Sequence, residues 1–463
     1  MALTDLSKIK HVVVLTMENR SFDHMLGALA LDPQYPARAS VDGVDKAVAQ
    51  SSSSGSVTAR HLAGQRARTF TPDPPHDSAS VAMSLSGDGG PPMSGFVRAF
   101  EAAHGGSDAA PDVASYLTRA ELPTTYALAD AFTVCQRWFA PIPTQTIPNR
   151  LYMVAGHSNG LRDNPSAKEY AVGFSIETIF DQLNRQDWKV YSGSLPLAML
   201  VKNLRDDLML HGRLARLGQF QHEARIGALP RLSWIEPVYS WADAPVLDAL
   251  FPDPNDDHPP SVMGNGEKLL AWVYETLRTS SAWESCLLVV YFDEHGGFAD
   301  HVVPPAITDQ ESAIPPDGFT QRGVRVPALI VSPFAAPALV GAPNDVYDHC
   351  SLLKFLCDWF GVQPFAPRIA SPRIKSVAEL LQDQPRQNVP SLTRQMPTFA
   401  TPPAVEAMVS AKARAARAPR PRLHDHDLAE IIENTRLVVE KQYGGAYQAL
   451  FPELAGVPPA AKR

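Results

Sequence analysis

Cysteine is scarce in this chain: the 463 residues contain four, Cys135, Cys286, Cys350 and Cys357, at spacings that match neither a zinc knuckle nor a dense disulfide framework. All four read as structural thiols. Cys286 opens the apolar run CLLVVYF, and Cys350 and Cys357 fall about two turns apart on one helical pattern, too far to bridge. Positive charge is not in excess either; the formal net charge of -8 removes any general attraction to nucleic acid or to an anionic surface, so no nucleic-acid partner is expected. There is no uninterrupted apolar run of spanning length, because VPALIVSPFAAPALVGAP from Val326 is broken by prolines. The N-terminal stretch is short in apolar residues and lacks a small-residue cleavage site, so it reads as a strand and not as a signal peptide. As written, this places the chain in the cytoplasm; a secreted or periplasmic destination requires a removed leader or a dedicated secretion machine. No internal repeat is visible.

What is present is material for a large core, with 45% of residues hydrophobic and 19% charged. Three short apolar runs read as buried strands: HVVVLTM (11–17), CLLVVYF (286–292) and VPALIVS (326–332). Helical patterns lie between or after them, at 175–186, 265–280 and 348–361, the last stopped by Gly361. Strands alternating with helices predict an α/β fold with a largely parallel sheet. The stretches SSSSGS (51–56) and SGDGGPP (86–92) read as turn-rich insertions. From 382 to 463 the composition shifts to a Pro/Thr/Gln/Ser linker, an alanine- and arginine-rich segment, and a final amphipathic helix suited to docking on the body or on another subunit.

In such sheets chemistry gathers at the carboxyl ends of the strands. Two pairs stand there, Glu18-Asn19 and Asp293-Glu294, together offering three carboxylates and an amide oxygen, a hard oxygen set that suits a divalent cation. The competing reading is that these acids cap the helices that follow. In PIPTQTIPNR, Thr146 has the look of a helix N-cap with proline in the first turn. That position also suits a nucleophile, since a helix N-terminus welcomes phosphate and a metal-bound hydroxyl has a lowered pKa. His76, His258, His301 and His349 all fall in expected loops or helix starts, most of them beside proline, and are candidates to touch phosphate oxygens or to protonate a leaving group.

Taken in order, HVVVLTMENRSFDHMLG, DPPH, FTVCQRWFAPIPTQTIPNRLY, DHPPS and YFDEHGGFADHVVPP resemble the motifs of the phosphoesterase family. That family holds bacterial phosphatidylcholine-hydrolysing phospholipases C, plant non-specific phospholipases C and a bacterial acid phosphatase. The resemblance runs from about residue 10 to about 360 and is far more specific for family than for substrate. It implies an alkaline-phosphatase-like three-layer α/β/α fold, with residues 1–381 as the metal-dependent domain and 382–463 as linker and helical extension. Carried over by motif, Glu18, Asn19, Asp293, Glu294 and Thr146 would hold one metal ion, Ca²⁺, Mg²⁺ or Mn²⁺ by ligand hardness with zinc also admitted. Thr146 would be the nucleophile supported by Thr144 and Gln145, and His76, His258 and His301 would line the phosphate.

Sulfatases carry a Cys/Ser-x-Pro-x-Arg signature that TIPNR resembles, but threonine does not fit their aldehyde maturation. The acid phosphatase branch uses a serine nucleophile and an adjacent histidine pair, and no such pair occurs near 190–215. One cation also suits a singly charged diester better than a dianionic monoester. The expectation is therefore a phospholipase C acting through a phosphothreonine intermediate on a phosphatidylcholine-like lipid, with transient contact to a membrane surface. The alternatives are a phosphomonoesterase on the same residues and a non-catalytic binding protein that keeps the fold. Trp234, Glu236, Tyr239 and Trp241 are candidates either for a headgroup wall or for ordinary packing.

Overall fold

The computed structural model describes residues 3–87, 89–166, 172–239, 251, 253–395, 437–446, 448 and 450. Its centre is an eight-stranded sheet. In chain order the strands are β1 (His11–Met17), β2 (Thr133–Cys135), β3 (Trp188–Ser192), β4 (Leu214–Arg216), β5 (Leu232–Glu236), β6 (Cys286–Phe292), β7 (Ala328–Val331) and β8 (Ala338–Val340). Across the sheet they run β8-β2-β7-β6-β1-β5-β3-β4. β7 is antiparallel to both neighbours, and the other pairings are parallel. The two longest strands, β1 and β6, are the continuous apolar runs of the sequence; they lie side by side at the centre, where both faces are covered and alternation is not required.

Pleating sends successive side chains of β6 to opposite faces. Val290 and Phe292 line a cavity together with Gly266, Glu267 and Leu270 of α3 (Met263–Arg278), whereas Tyr291 meets His349 at the start of α4 (His349–Phe360). Two helical layers therefore flank the sheet, as expected for a three-layer α/β/α arrangement. On the first layer α3 packs with α1 (Pro123–Ala131) and with Leu217–Ile226; on the second, α4 packs with α2 (Thr146–Ala155). All four cysteines are buried and unbridged, in keeping with structural thiols.

Two expectations need correction. Residues 175–186 form no α-helix but two 3-10 turns, Ile179–Gln182 and Arg185–Asp187, because Ile179 and Phe180 are drawn into the core and the chain straightens into β3 at Trp188. The headgroup wall is not one: Trp234, Glu236 and Tyr239 are buried, and Glu236 accepts from Leu197 N, Ala198 N and the Tyr239 hydroxyl at 2.6, 3.2 and 2.8 Å. Trp241, the alanine- and arginine-rich segment and the linker from residue 396 on lie outside the described residues. Within the C-terminal extension, residues 437–446 are helical and dock on the body, the Tyr443 hydroxyl donating to Asp206 at 2.6 Å beside the β4 edge. Among the described residues no helix is long and apolar enough to cross a membrane.

Candidate active site

β1 and β6 end at one level, since Met17 and Phe292 are register partners. Glu18-Asn19 and Asp293-Glu294 therefore leave the sheet side by side. Asn19 N–H donates to Asp293 Oδ1 at 3.0 Å, and Arg20 N–H to the Glu294 carbonyl at 3.1 Å. Neither pair caps a helix. The helical turn after the first, Phe22–Met25, is capped by Ser21, whose hydroxyl accepts from His24 N–H, and the second pair leads into turns at Gly296 and Gly297. Asn19 sits at φ 58, a left-handed conformation that non-glycine residues rarely adopt and that collects at functional sites.

Thr146 is the first helical residue of α2; the N-cap position belongs to Gln145, which corrects the capping expectation. Ile147 N–H is instead satisfied by Asn164 Oδ1 at 3.0 Å. The turn before the helix is braced by Asn149 Nδ2, which donates to the carbonyls of Thr144 and Gln145 at 2.8 and 3.0 Å, and by the Thr144 hydroxyl, which donates to Asp163 at 2.8 Å. Relieved of a capping role, the Thr146 hydroxyl is fully buried with no hydrogen-bond partner among the described residues.

One turn further along α2, Arg150 does what the sequence did not disclose. Its guanidinium donates to Glu18 Oε1 at 2.7 Å, to the Met17 carbonyl at 3.2 Å, to Asp293 Oδ2 at 3.4 Å and to the Thr16 hydroxyl. It thus ties the helix of Thr146 to the ends of both central strands. Its sequence signals are its place four residues after Thr146, on the same helical face, and its position as the arginine of TIPNR.

Crowding three buried carboxyls raises the cost of ionising them. Burial first, then the charge of Asp293, push Glu18 up to about 8 against the pull of Arg150 and His258. Burial raises Asp293 to about 6, with Arg150 opposing and Glu294 adding to the rise. Burial works the same way on Glu294, but His76 and His295 overcome it and hold the group below its ordinary value. Asn19 Oδ1, Thr146 Oγ1 and Glu294 Oε1 are buried acceptors without a hydrogen-bond donor among the described residues. By donor type, these oxygens and the neighbouring carboxylates fit a hard divalent cation.

The histidines divide into two groups. His76 and His258 are buried with ring centroids 6.2 Å apart, and with Asp73 their donor atoms lie within 4.8 Å of one another. His76 Nε2 is 3.8 Å from Glu294 Oε1, and His258 Nε2 is 3.9 Å from Asp73 Oδ2. Asp73 is the aspartate of DPPH, so the motif itself was its signal. His301 is not brought to this cluster: its Nδ1 meets Asp23 at 2.7 Å and its Nε2 meets Asp42 at 3.3 Å. Asp23, Asp300 and His301 also converge, but Arg325 donates to both aspartates and backbone N–H groups meet their remaining oxygens, which makes this group an internally satisfied ionic staple. His349 supports the site from behind; Trp138 Nε1–H donates to its Nδ1 at 3.1 Å, and its Nε2–H donates to the Asp293 carbonyl at 2.7 Å.

A family model described as the phosphoesterase family matches residues 9–363. The chain is 32% identical over 385 residues to non-specific phospholipase C3 of Arabidopsis thaliana, covering 78% of this chain and 71% of that protein. It is 28% identical over 430 residues to phospholipase C B of Mycobacterium tuberculosis, covering 81% of this chain and 77% of the other. A solved structure described as a protein in the alkaline phosphatase superfamily, from Vibrio parahaemolyticus, aligns over 96% of this chain and 90% of that one at 12% identity, with a TM-score of 0.34 that is too low to bear on function. The family match spans every strand of the central sheet and every side chain of the cluster just described, and on it the chain belongs to the phosphoesterase family.

Proposed function

We propose that this chain hydrolyses phosphodiester bonds of phospholipids in the manner of a phospholipase C, with Thr146 as nucleophile. The observation that carries the reading is the Thr146 hydroxyl, fully buried without a hydrogen-bond partner among the described residues at the first turn of a helix whose Arg150, four residues on, is hydrogen-bonded to Glu18 and Asp293. Relatives named phospholipase C from a plant and from a bacterium support the substrate class.

Glu18, Asn19, Asp293, Glu294 and Thr146 would hold one divalent cation, with Ca²⁺, Mg²⁺ or Mn²⁺ favoured by the hardness of oxygen ligands. Such a cation supplies a lowered hydroxyl pKa and neutralises charge on phosphoryl oxygens. In the first step the Thr146 hydroxyl loses its proton to solvent, the bond from its Oγ to phosphorus forms in line as the bond from phosphorus to the alcohol oxygen breaks, and a protonated histidine gives its proton to the departing alcohol. In the second step water adds to phosphorus and loses a proton to the same histidine, the bond from phosphorus to Thr146 Oγ breaks, and the Oγ takes a proton back from solvent, so that histidine and hydroxyl both return to their starting states. His258 would line the phosphate throughout. Two carboxylates are already paired with Arg150, so one cation leaves a site of low net charge, better matched to a singly charged diester than to a dianionic monoester.

The test compares a chromogenic phosphocholine diester with the matching phosphate monoester before and after chelation. Diester turnover that disappears with the metal and returns on adding Mn²⁺ is expected. A preference for the monoester would overturn the phospholipase reading.

A further inference from the structure

The hydrogen bonds of His76 fix the orientation of its ring. Nδ1 lies 2.7 Å from the Pro74 carbonyl, which can only accept, so a proton sits on Nδ1. Nε2 lies 3.2 Å from Asn19 Nδ2, an amide nitrogen that can only donate, so Nε2 presents its lone pair. Both contacts are met together by one tautomer, with the proton on Nδ1 and Nε2 accepting. The same bond turns the Asn19 amide so that Nδ2 faces His76 and Oδ1 faces away, and Oδ1 is one of the three buried acceptors without a donor among the described residues.

The surrounding loops are shaped to hold this arrangement. The Asn19 backbone is fixed at φ 58 with its N–H on Asp293 Oδ1, and a Cβ at Gly296 would stand 2.2 Å from the Asn19 carbonyl oxygen. A Cβ at Gly297 would stand 2.6 Å from Pro74 Cβ and 2.8 Å from the Pro75 carbonyl oxygen. The two glycines thus let the turn after β6 close onto the Asn19 loop on one side and onto the proline pair that carries His76 on the other. His258 differs. Its Nδ1 is pinned to the Pro259 carbonyl at 2.5 Å. Both Nε2 atoms have a carboxylate oxygen in reach, Glu294 Oε1 at 3.8 Å for His76 and Asp73 Oδ2 at 3.9 Å for His258, but His76 Nε2 is engaged at hydrogen-bond distance by the Asn19 amide at 3.2 Å.

The geometry points to His76 as a positioning residue whose Nε2 orients the Asn19 amide so that Oδ1 serves the cation, and to His258 as the histidine that transfers protons to and from the leaving alcohol. The first half concerns metal binding; the second rests on the phosphoryl-transfer reading above. It follows that Asp73, His76 and His258, although convergent, are not a second cation site, because His76 Nε2 already accepts from Asn19.

The experiment is a calorimetric titration of the full chain with Mn²⁺ alone, for wild type, His76→Leu, His76→Ser and His76→Gln. Outer residues that orient a metal ligand are worth about 10–100-fold in affinity, and that loss is expected for His76→Leu. His76→Ser, polar but too short to reach Asn19, is expected to lose as much and serves if the leucine variant fails to fold. His76→Gln, whose Oε1 can accept from the Asn19 amide, is expected to recover most of the affinity. Wild-type affinity in the leucine and serine variants, or a glutamine variant as weak as they are, overturns the positioning role, as does wild-type protein that binds no Mn²⁺. In the pH–rate profile with the phosphocholine diester, the limb that reports the protonated acid is expected to persist in His76→Gln and to vanish in His258→Gln, and the reverse overturns the assignment of the acid. If no diester is turned over, the Mn²⁺ titration still decides the first half, so failure of the catalytic reading and failure of the positioning role are told apart.

Discussion

Replacing Gly297 with alanine tests whether close approach between the turn after β6 and the proline loop is what aims His76. Two costs are expected. The residue sits at φ 74, and an L-residue in that region costs about 1–2 kcal/mol. The new methyl would also stand 2.6 Å from Pro74 Cβ, where ordinary contact begins at 3.4 Å, so the proline loop must retreat by about 0.8 Å. Forcing a methyl into a closed contact adds about 1–3 kcal/mol, for a total of about 2–5 kcal/mol. If the retreat is carried to the imidazole, the 3.2 Å contact between His76 Nε2 and Asn19 Nδ2 lengthens to about 4 Å, past the reach of a hydrogen bond. Gly361→Ala is the matched control: it has the same φ of 74 and nothing within 4 Å of the added methyl, so it reports backbone strain alone. Urea unfolding of both variants, followed by Mn²⁺ titration, makes the comparison. Gly297→Ala is expected to lose more stability than Gly361→Ala and, alone of the two, to bind Mn²⁺ about 10–100-fold more weakly. Equal destabilisation with unchanged Mn²⁺ affinity in both would refute the reasoning.

Thr146→Ala is expected to reduce diester turnover by at least about 10³-fold, as removal of a nucleophile does, while Thr146→Ser keeps part of it; acid-quenched enzyme should yield a phosphorylated peptide covering residue 146, and a phosphorylated alanine variant would discard the assignment. Glu267 takes the first free N–H groups of α1, from Thr124 at 2.6 Å and Thr125 at 3.2 Å, and burial raises it from 4.5 to about 7 in spite of those bonds. A carboxyl raised on folding contributes stability that is whole below its unfolded value and fades as pH rises through the folded one, so wild type should lose about 3 kcal/mol between pH 4.5 and 8 that Glu267→Gln retains; parallel pH curves for the two proteins would rule this out. His301 behaves as a cation: burial opposes its proton, but the hydrogen bond and charge of Asp23 hold it above the ordinary histidine value. That contribution is whole below the unfolded value and lost as pH rises through the folded one, so His301→Gln should be less stable than wild type at pH 5 and equal at pH 9, with Mn²⁺ affinity unchanged; weakened Mn²⁺ binding would return His301 to the site.

The central strands were legible because burial on both faces demands an unbroken apolar run, and β1 and β6 have the ends read from the sequence. β2, β4 and β8, at three residues each, are too short for any period to show. The carboxylate pairs were legible from their place at strand ends, and Thr146 from its proline-bearing turn. Arg150 was not, because a buried arginine on a helix declares its purpose only once the strands that receive its hydrogen bonds are beside it. His301 was misplaced for the converse reason. Its motif begins at the site, but Asp300 turns onto Arg325 and carries the histidine to Asp23 and Asp42.

The bond from Asn19 N–H to Asp293 Oδ1 joins residues 274 positions apart, and the His349 brace on Asp293 comes later still in the chain. During synthesis the N-terminal strand must therefore wait for most of the polypeptide before its partner exists, a delay of tens of seconds at about 5–20 residues per second. Until then Glu18 and Asn19 have neither the neighbouring carboxylates nor Arg150's helix docked across them. The candidate site is among the last features a nascent chain can complete, so no truncated product ending before β6 can carry a complete copy of it.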